Sequence, residues 1–337
     1  METSPPVQDK KRHHFVPIAY LSQFTDELGK VFAYIADGPE EPQHMKPDAI
    51  GFEGYYYSQI RPDGTRDANT VEDLFGTVET KWSPIMERIR KRLDLTADIE
   101  TVMEFMTLQR VRVPAARDLI ETNLAGVVMA TLRQMDAQGA LPPKPEGFED
   151  ILDHIVVPID PQMSLTAMGP MAQGMIEVVD RLGFQIVHLD DQMDGSFITS
   201  DNPVVFFDPT VQEDRLRPYH WRRPSGAIEL LFPLSPRTLL RGYSDLRLDY
   251  QRHGLRHVKL TSRQEAKRIN RLVAKFGYRL IFAKDRSHDR LVTKYLAERP
   301  TGKSDWFAVP SGTVSTTPMV FGRPPVKPKW TPRTNGK

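Results

Sequence analysis

The chain contains 337 residues, of which 39% are hydrophobic and 26% are charged, values ordinary for a soluble globular protein. No segment approaches the roughly 18 consecutive apolar residues that a membrane-spanning helix requires. The polar N-terminus has no apolar stretch typical of a signal peptide, so we expect a cytoplasmic protein that does not interact with membranes. Cysteine is absent, which excludes disulfides, thiolate metal sites and cysteine nucleophiles.

The formal net charge of +1 conceals an uneven distribution of charge along the chain. Residues 251–337 carry a balance of +15, whereas the first 250 residues carry a balance of −14. Such a division has two explanations. Either the two parts neutralise each other by packing, or the basic C-terminal third binds a polyanion such as nucleic acid.

The N-terminal part predicts a short helix followed by strands. Pro17 suits the first turn of a helix, and Gly29 suits the end of one. Residues 30–36 are β-branched and aromatic, which predicts a strand. The three tyrosines at 55–57 predict another short strand, after a loop rich in glycine and proline.

A helical part follows over about residues 69–138. Apolar residues recur at helical spacing over 69–92, where Pro84 predicts a bend. Residues 98–112 are apolar nearly all round the predicted helix, which indicates that this helix is buried. A third helix is predicted over 115–138.

The chain from about residue 149 to 290 mixes predicted strands and helices. Successive strands joined by short turns favour antiparallel pairing. The predicted fold class is therefore α+β, with a helical middle segment and a mixed, mainly antiparallel sheet. We predict a single domain over 11–290, followed by a basic tail over 300–337 that is rich in proline and threonine and largely irregular. The predicted helices of this part are 163–182 and 262–276, and its predicted strands are 184–189, 196–199, 204–207, 227–232, 238–243 and 278–283.

Two adjacent histidines, His13 and His14, are the most unusual local feature of the sequence. A neutral imidazole can accept and return a proton near pH 7, so either residue is a candidate general base or metal ligand. The alternative is structural, with one ring bonded to a carbonyl group and the other exposed to solvent. Adjacent side chains on a strand point to opposite faces, so both serve one site only where the backbone is irregular.

Four blocks of the sequence contain closely spaced aromatic, polar and proline residues. The blocks begin at His13 (HHFVPxxYLxxF), Gln109 (QRxRxP), Phe197 (FITSDNP) and Phe232 (FPLSP). Together they resemble those of the bacterial domain-of-unknown-function family 4238. The match extends over about residues 11–290, and the basic tail lies outside it. The resemblance implies a shared fold but brings no established reaction with it.

Gln109 and Arg112 lie three residues apart and project from the same side of their predicted helix. A guanidinium on an apolar helix is costly to bury unless an anion receives it. One interpretation is therefore a structural ion pair with an acid such as Glu79 or Asp201. The other is an anion clamp, in which Gln109 and Arg112 hold a phosphate oxygen inside a site.

Polar residues follow the short apolar strand that ends near residue 199. Ser200, Asp201 and Asn202 precede Pro203, which has no amide proton and ends regular strand pairing. Such a position can line a cleft, where Asp201 would bind a metal ion or orient a histidine. The alternative is a turn in which these side chains only cap backbone groups.

The predicted helix at 262–276 is amphipathic and has a basic face. Arg263, Lys267 and Arg271 are spaced four residues apart along that face. A basic stripe of this kind can follow a phosphate backbone. It is equally the solvated back of an ordinary surface helix.

Two hypotheses for function follow from these residues. The first is a phosphodiesterase or nuclease that acts on nucleic acid, with a divalent metal ion as a candidate cofactor. The second is a non-catalytic module that binds nucleic acid or protein, for example a sensor in bacterial defence, in which the polar blocks form a buried structural network. The candidate catalytic residues are His13, His14, Glu79 and Asp201, and the candidate binding residues are Tyr20, Gln109, Arg112, Ser200, Asn202, Arg263, Lys267 and Arg271.

Overall fold

Helices and mainly antiparallel sheets make up the part of the chain that the structure describes, which confirms the predicted α+β class. The structure is a computed structural model, and it describes residues 9–222, 224–297, 305–309, 312–316 and 327–331. Within these ranges, no helix is both long enough and apolar enough to cross a membrane.

The α-helices are distributed over the described chain, and seven of the eleven lie between residues 70 and 179. In chain order they are α1 (Ile18–Leu21), α2 (Thr70–Glu79), α3 (Trp82–Arg90), α4 (Ile99–Val111), α5 (Pro114–Ala137), α6 (Ile151–His154), α7 (Pro161–Thr166), α8 (Met168–Val179), α9 (Arg247–His253), α10 (Arg263–Phe276) and α11 (Asp289–Ala297).

The strands are short, and most of them come before α2 or after α8. In chain order they are β1 (Arg12–His14), β2 (Val31–Ile35), β3 (Gln43–Met45), β4 (Phe52–Gly54), β5 (Gln59–Ile60), β6 (Arg66–Asp67), β7 (Gly183–Leu189), β8 (Thr199–Ser200), β9 (Val205–Phe207), β10 (Glu229–Ser235), β11 (Thr238–Tyr243), β12 (Arg256–Leu260), β13 (Leu280–Ala283), β14 (Asp305–Val309) and β15 (Gly312–Thr316).

Two sheets form most of the core. The five-stranded sheet has the order β12-β7-β11-β10-β9, and its β12–β7 pair is parallel while its other pairs are antiparallel. The four-stranded sheet has the order β3-β2-β13-β8 and is antiparallel throughout. Strands β10 and β13 are buried along their whole length, as expected for runs of Leu, Ile and Phe.

The strand predicted at the three tyrosines of residues 55–57 is wrong. The strand β4 ends at Gly54, and the tyrosines form the turn that follows it. Tyr55 has φ +55°, in the left-handed region, and this conformation cannot continue a strand.

The single bent helix predicted over 69–92 is in fact two helices. α2 ends at Glu79 and α3 begins at Trp82. In a continuous helix, the ring of Pro84 would clash with the carbonyl group of Thr80. The chain therefore breaks before the proline, which then lies in the first turn of α3, where it is tolerated.

The strands predicted at 184–189 and 196–199 do not form a hairpin. Both edges of β7 are occupied by β11 and β12, so β8 pairs with β13 in the other sheet. In the C-terminal tail, β14 and β15 pair as an antiparallel hairpin where irregular chain was predicted. Residues 327–331 have no regular structure, and the rest of the predicted tail lies outside the described residues.

Candidate functional site

His13 is fully buried, and both of its ring nitrogens have partners. Nδ1 accepts a hydrogen bond from the backbone N–H of Tyr57 at 2.7 Å, so the proton of the neutral ring lies on Nε2 and is donated to the carbonyl oxygen of Lys10 at 2.8 Å. The ring also stacks on Tyr57, with centroids 5.7 Å apart. His13 therefore fastens the turn after β4 to the start of β1 and has no free nitrogen for a substrate.

Arg112 joins three segments through its guanidinium. It donates to the carboxylate of Glu79 on α2 and to the carbonyl oxygen of His14 on β1, and its Nε lies 3.4 Å from the hydroxyl of Tyr57. The Tyr57 hydroxyl in turn donates to the carbonyl oxygen of Arg112 at 2.8 Å. Arg112 is 1% exposed, so the structural interpretation, an ion pair with Glu79, describes its geometry.

His14 lies beside this cluster and is only half-buried. Its Nε2 atom is buried and has no hydrogen-bond partner among the described residues, and the same holds for Oε1 of Glu72. Burial lowers the pKa of His14 below its usual value and raises the pKa of Glu72 to about 7. A neutral imidazole and a carboxyl group that titrates near pH 7 are therefore present here, and sequence reasoning did not select Glu72.

Asp201 is fully buried and caps the chain between α10 and β13. Its carboxylate accepts the backbone N–H groups of Tyr278 at 2.9 Å and Arg279 at 2.8 Å, and burial raises its pKa to about 6. Asn202 donates to the carbonyl oxygen of Phe276 at 2.8 Å, and its own N–H is bonded to the hydroxyl of Ser200 at 3.1 Å. These contacts match the predicted turn in which side chains cap backbone groups.

Arg279 links the histidine cluster to Asp201. Its side chain donates to Glu53 at 2.6 Å, and Glu53 lies opposite His13 in the β1–β4 pair, while its backbone N–H bonds Asp201. Asp201 is thus connected to the histidine cluster indirectly, through a network that includes Glu53 and Arg279. Because Asp201 is 0% exposed and Arg112 is 1% exposed, the network does not present both to solvent in this conformation.

Tyr20 connects the sequence blocks in the core. Its hydroxyl lies 2.6 Å from Oγ1 of Thr199 and donates to the carbonyl oxygen of Pro233 at 2.7 Å. Gln109 is also fully buried, and neither polar atom of its amide has a partner among the described residues. Both side chains lie in the interior, away from any surface that a large ligand could reach.

The basic face of α10 is partly neutralised by acidic neighbours. Arg271 pairs with Glu213 at 2.7 Å, and Arg263 lies 3.6 Å from the carboxylate of Asp194. Lys267 is exposed to solvent. The metal-ligand prediction has no support in the geometry: over the residues whose positions are described, no group of three or more His, Asp and Glu side chains is placed to hold a metal ion.

An open groove lies elsewhere, between α5 and residues 151–159. We call it the α5 groove; its volume is about 350 Å³. The carboxylates of Asp118 and Glu121 form one end, and Nζ of Lys327 lies 2.6 Å and 2.8 Å from their oxygens. Apolar side chains form most of the remaining wall, and they are Ala125, Met129, Leu152, Ile155, Val156, Val157 and Ile159.

The two acids of the α5 groove are held from behind by buried donors. Asp118 accepts the hydroxyl of Tyr278 at 2.8 Å and the guanidinium of Arg279 at 3.1 Å. Glu121 accepts the hydroxyl of Ser164 at 2.7 Å. Both carboxylates are therefore fixed in position, and each keeps one oxygen directed at the cation in the groove.

Sequence reasoning missed the α5 groove. Asp118 and Glu121 lie three residues apart, so they share a face of α5, and this spacing in an otherwise apolar stretch was the available signal. The opposite wall and Lys327 come from parts of the chain that no local pattern connects to α5.

Comparisons with known proteins place the chain in a family without assigning it an activity. No curated protein and no solved structure matches it. The model of a family described as "Protein of unknown function (DUF4238)" matches residues 12–287. This match covers most of the chain and coincides with the blocks that begin at His13, Gln109, Phe197 and Phe232, so the chain belongs to the DUF4238 family.

Proposed function

We propose that the protein is a non-catalytic binding module that recognises a lysine-containing, largely apolar segment of a partner protein. The α5 groove carries this proposal. Ligand sites are usually concave and mostly apolar, with a few convergent polar groups. The α5 groove has this form, because most of its lining is apolar, its polar end consists of Asp118 and Glu121, and its other two charged residues, Arg133 and Asp153, pair with each other at 3.1 Å.

The charge of the groove defines the chemistry of the occupant. Two buried carboxylates side by side are costly unless a cation compensates them. Lys327 of the chain itself supplies that cation, and its contacts with both acids support an ammonium group as the part of the partner that would bind there. A lysine has an apolar stem and a charged end, so it suits a groove that is apolar along its length and acidic at one end.

Exposed apolar side chains on the wall opposite α5 favour a protein partner. Ile155 is 39% exposed and Val156 is 63% exposed, and both residues line the groove. Large apolar surface that solvent can reach is typical of interaction sites. The partner segment would therefore cover these side chains and place its lysine where Lys327 now lies.

The test is selection of binding sequences from a library of displayed peptides with a fixed central lysine and random flanking residues. We expect enrichment of apolar residues beside the lysine. A selected peptide is then titrated by fluorescence anisotropy against the full chain. We expect Glu121→Gln to weaken binding of this peptide and Val156→Asp to abolish it, because these changes remove the ionic and the apolar contact separately.

The control is Glu104→Gln, which removes one exposed negative charge on α4, outside the groove. This variant should bind the selected peptide as the unmodified protein does. The same peptide with norleucine in place of lysine should bind weakly to the unmodified protein and equally to Glu121→Gln. No enriched sequence, or equal binding by all variants, would rule out the proposed module.

A second candidate function is cleavage of a phosphodiester bond near His14. The observation that favours it is the pair of buried polar atoms without partners, Nε2 of His14 and Oε1 of Glu72. His14 is neutral near pH 7 and could accept the proton of an attacking water. Glu72, with a pKa of about 7, is partly protonated there and could donate a proton to the leaving oxygen.

This candidate is tested by incubating the purified protein with labelled RNA and DNA, with and without Mg²⁺ or Mn²⁺. Cleavage that His14→Gln and Glu72→Gln abolish would support it. Glu87→Gln, an exposed change on α3, is the control and should retain any such cleavage. An absence of strand breaks under every condition would exclude this reaction.

A further inference from the structure

A second cavity, lined by none of the residues that line the α5 groove, is strongly basic. It has a volume of about 440 Å³ and lies where the end of β7, the β10–β11 turn, the chain after α3 and the residues after β13 meet. We call it the basic cavity. Its charged side chains are Arg90, Arg92, Arg237, Lys284 and a single acid, Asp191.

Arg237 gives the basic cavity a positive charge that is fixed in place. Its guanidinium donates to four backbone carbonyl oxygens, those of Leu189 at 3.4 Å, Asp190 at 2.5 Å, Met193 at 2.9 Å and Gly195 at 3.0 Å. Carbonyl groups orient a guanidinium but do not neutralise it. The charge of Arg237 therefore remains available to a ligand.

Among the other cations of the cavity, Arg90 pairs with Glu87 at 2.5 Å, whereas Arg92 and Lys284 are only weakly compensated. Arg92 lies 3.8 Å from the carboxylate of Asp191, whose side chain is 78% exposed. Lys284 is exposed and has no ion pair among the described residues. Long-range pairs between exposed charges contribute little, so the cavity keeps a clear excess of positive charge.

Two histidines line the cavity and its rear wall. His257 Nε2 donates to the carbonyl oxygen of Leu93 at 2.9 Å, and its Nδ1 lies 2.8 Å from Nε2 of His188. This order of donors places the proton of His188 on Nε2 and leaves its Nδ1 as an acceptor. The pair carries no negative charge, so it does not offset the positive charge of the cavity, and the acceptor Nδ1 of His188 suits a hydroxyl group of the ligand rather than the anion itself.

We propose that the basic cavity binds a small molecule that carries a phosphoryl group. Guanidinium and ammonium groups that converge on one cavity favour a multiply charged tetrahedral anion over a single carboxylate. The volume exceeds that of phosphate alone, so the ligand has an organic part in addition. The hydroxyl groups of Ser22 and Thr238 also line the cavity and can donate to further oxygens.

Isothermal titration of the full chain with pyrophosphate at physiological ionic strength tests this site. We expect saturable binding by the unmodified protein, and a loss of about tenfold or more in affinity in Arg92→Gln/Lys284→Gln, because two charges that face the anion are removed. Lys91→Gln/Lys294→Gln removes two exposed positive charges outside the cavity and should bind as the unmodified protein does. Acetate, a monoanion, should not compete.

The imidazole resonances of His188 and His257 provide a readout at the site itself. Pyrophosphate should shift them in the unmodified protein and in the control variant. If Arg92→Gln/Lys284→Gln melts at a lower temperature than the unmodified protein, Arg90→Gln/Lys284→Gln is titrated instead. This second variant keeps Arg92, whose backbone has a positive φ. Equal affinity in all variants, absence of saturable binding, or unshifted imidazole resonances would overturn the proposal, whatever the outcome at the α5 groove.

Discussion

Two regions of this molecule combine carboxylates, cations and a tyrosine hydroxyl, and they differ in what remains open to solvent. Hydrogen bonds join Arg112 to Glu79, to Tyr57 and to the backbone of β1, and the arginine is 1% exposed. In the α5 groove, Tyr278 and Arg279 support Asp118 only from behind. The other oxygen of the Asp118 carboxylate faces the α5 groove and binds Lys327, whose side chain is 42% exposed.

This difference shows why conspicuous residues are not always the functional ones. A buried charge needs particular partners, so it forces an unusual local sequence, as in the block that begins at Gln109. A binding groove lies where packing leaves part of the surface uncovered. The polar residues at its end therefore do not require a recognisable sequence motif. The comparison therefore indicates that the network of Arg112 stabilises the fold, whereas recognition at the α5 groove is our proposal, and the predictions below test that division.

The largest effect is expected from Arg112→Met. The change leaves Glu79 without its cation and the carbonyl oxygen of His14 without its donor. Breaking a buried ion pair by removing one partner costs about 3–5 kcal/mol. Chemical denaturation should show a fall of this order in the free energy of unfolding, with a lower melting temperature.

Arg263→Met is the matched control for this prediction, because the Arg263 side chain is 68% exposed and its nearest acid is 3.6 Å away. It should change the free energy of unfolding by less than about 0.5 kcal/mol. Comparable losses in both variants would mean that the network around Arg112 contributes no more than a surface charge.

Much of the fold follows from hydrophobic periodicity. The spacing of apolar residues predicts α4, α5 and α10 within a few residues, and β-branched runs predict β2 and β11. The errors come from tertiary or steric effects. The left-handed conformation of Tyr55 turns a strand-like sequence into a turn, and the clash of Pro84 with the preceding turn divides one helix into two.

The candidate site is less predictable than the fold. An ion pair of Arg112 with an acid such as Glu79 or Asp201 was one of two interpretations, since a buried guanidinium needs an anion as its partner. Prediction of the α5 groove would have required two facts about the fold. Residues 151–159 return to α5, and Lys327 reaches Asp118, 209 residues earlier in the chain. No periodicity or spacing contains that information.

A smaller effect on stability is expected from Asp201→Asn. Its pH dependence should be opposite to that of ordinary acid denaturation. Burial raises the pKa of Asp201 from 3.8 to about 6, so between these values the folded state holds a proton that the unfolded state has lost. This group therefore stabilises the protein below about pH 4, and the contribution is lost as the pH rises to about 6. The free energy of unfolding of the variant, relative to the unmodified protein, should rise across that interval.

Denaturation by urea at several pH values from 4 to 7 measures this difference for Asp201→Asn. Asp73→Asn, which alters an exposed carboxylate, should give a difference that does not change with pH in the same direction. A constant offset for Asp201→Asn would show that its carboxyl group titrates alike in the folded and unfolded states.

A still smaller change in stability is expected from Lys327→Gln, together with a gain in binding. The lysine is 42% exposed, and without it Asp118 keeps the guanidinium of Arg279 and Glu121 keeps the hydroxyl of Ser164, so its loss should lower the free energy of unfolding by only about 0.5–1 kcal/mol. Because it occupies the acids that a partner's lysine would contact, its removal should tighten binding of a selected lysine peptide. Lys329→Gln, an exposed change two residues away, should do neither, and weaker peptide binding by Lys327→Gln would contradict competition for the groove.

The smallest effect is expected from Arg263→Gln/Lys267→Gln on the basic face of α10. Both side chains are exposed, whereas the neighbouring Arg271 is already paired with Glu213. We expect the free energy of unfolding to change by less than about 0.5 kcal/mol and peptide binding at the α5 groove to stay the same.

Titration with labelled RNA and DNA at several salt concentrations gives the discriminating measurement. If α10 follows a phosphate backbone, the double variant should bind more weakly and with a salt dependence shallower by about two charges, since fewer counterions are released. That result would move recognition from the α5 groove to the basic C-terminal third, whereas unchanged titrations would leave this helix as a solvated surface and the groove as the site of recognition.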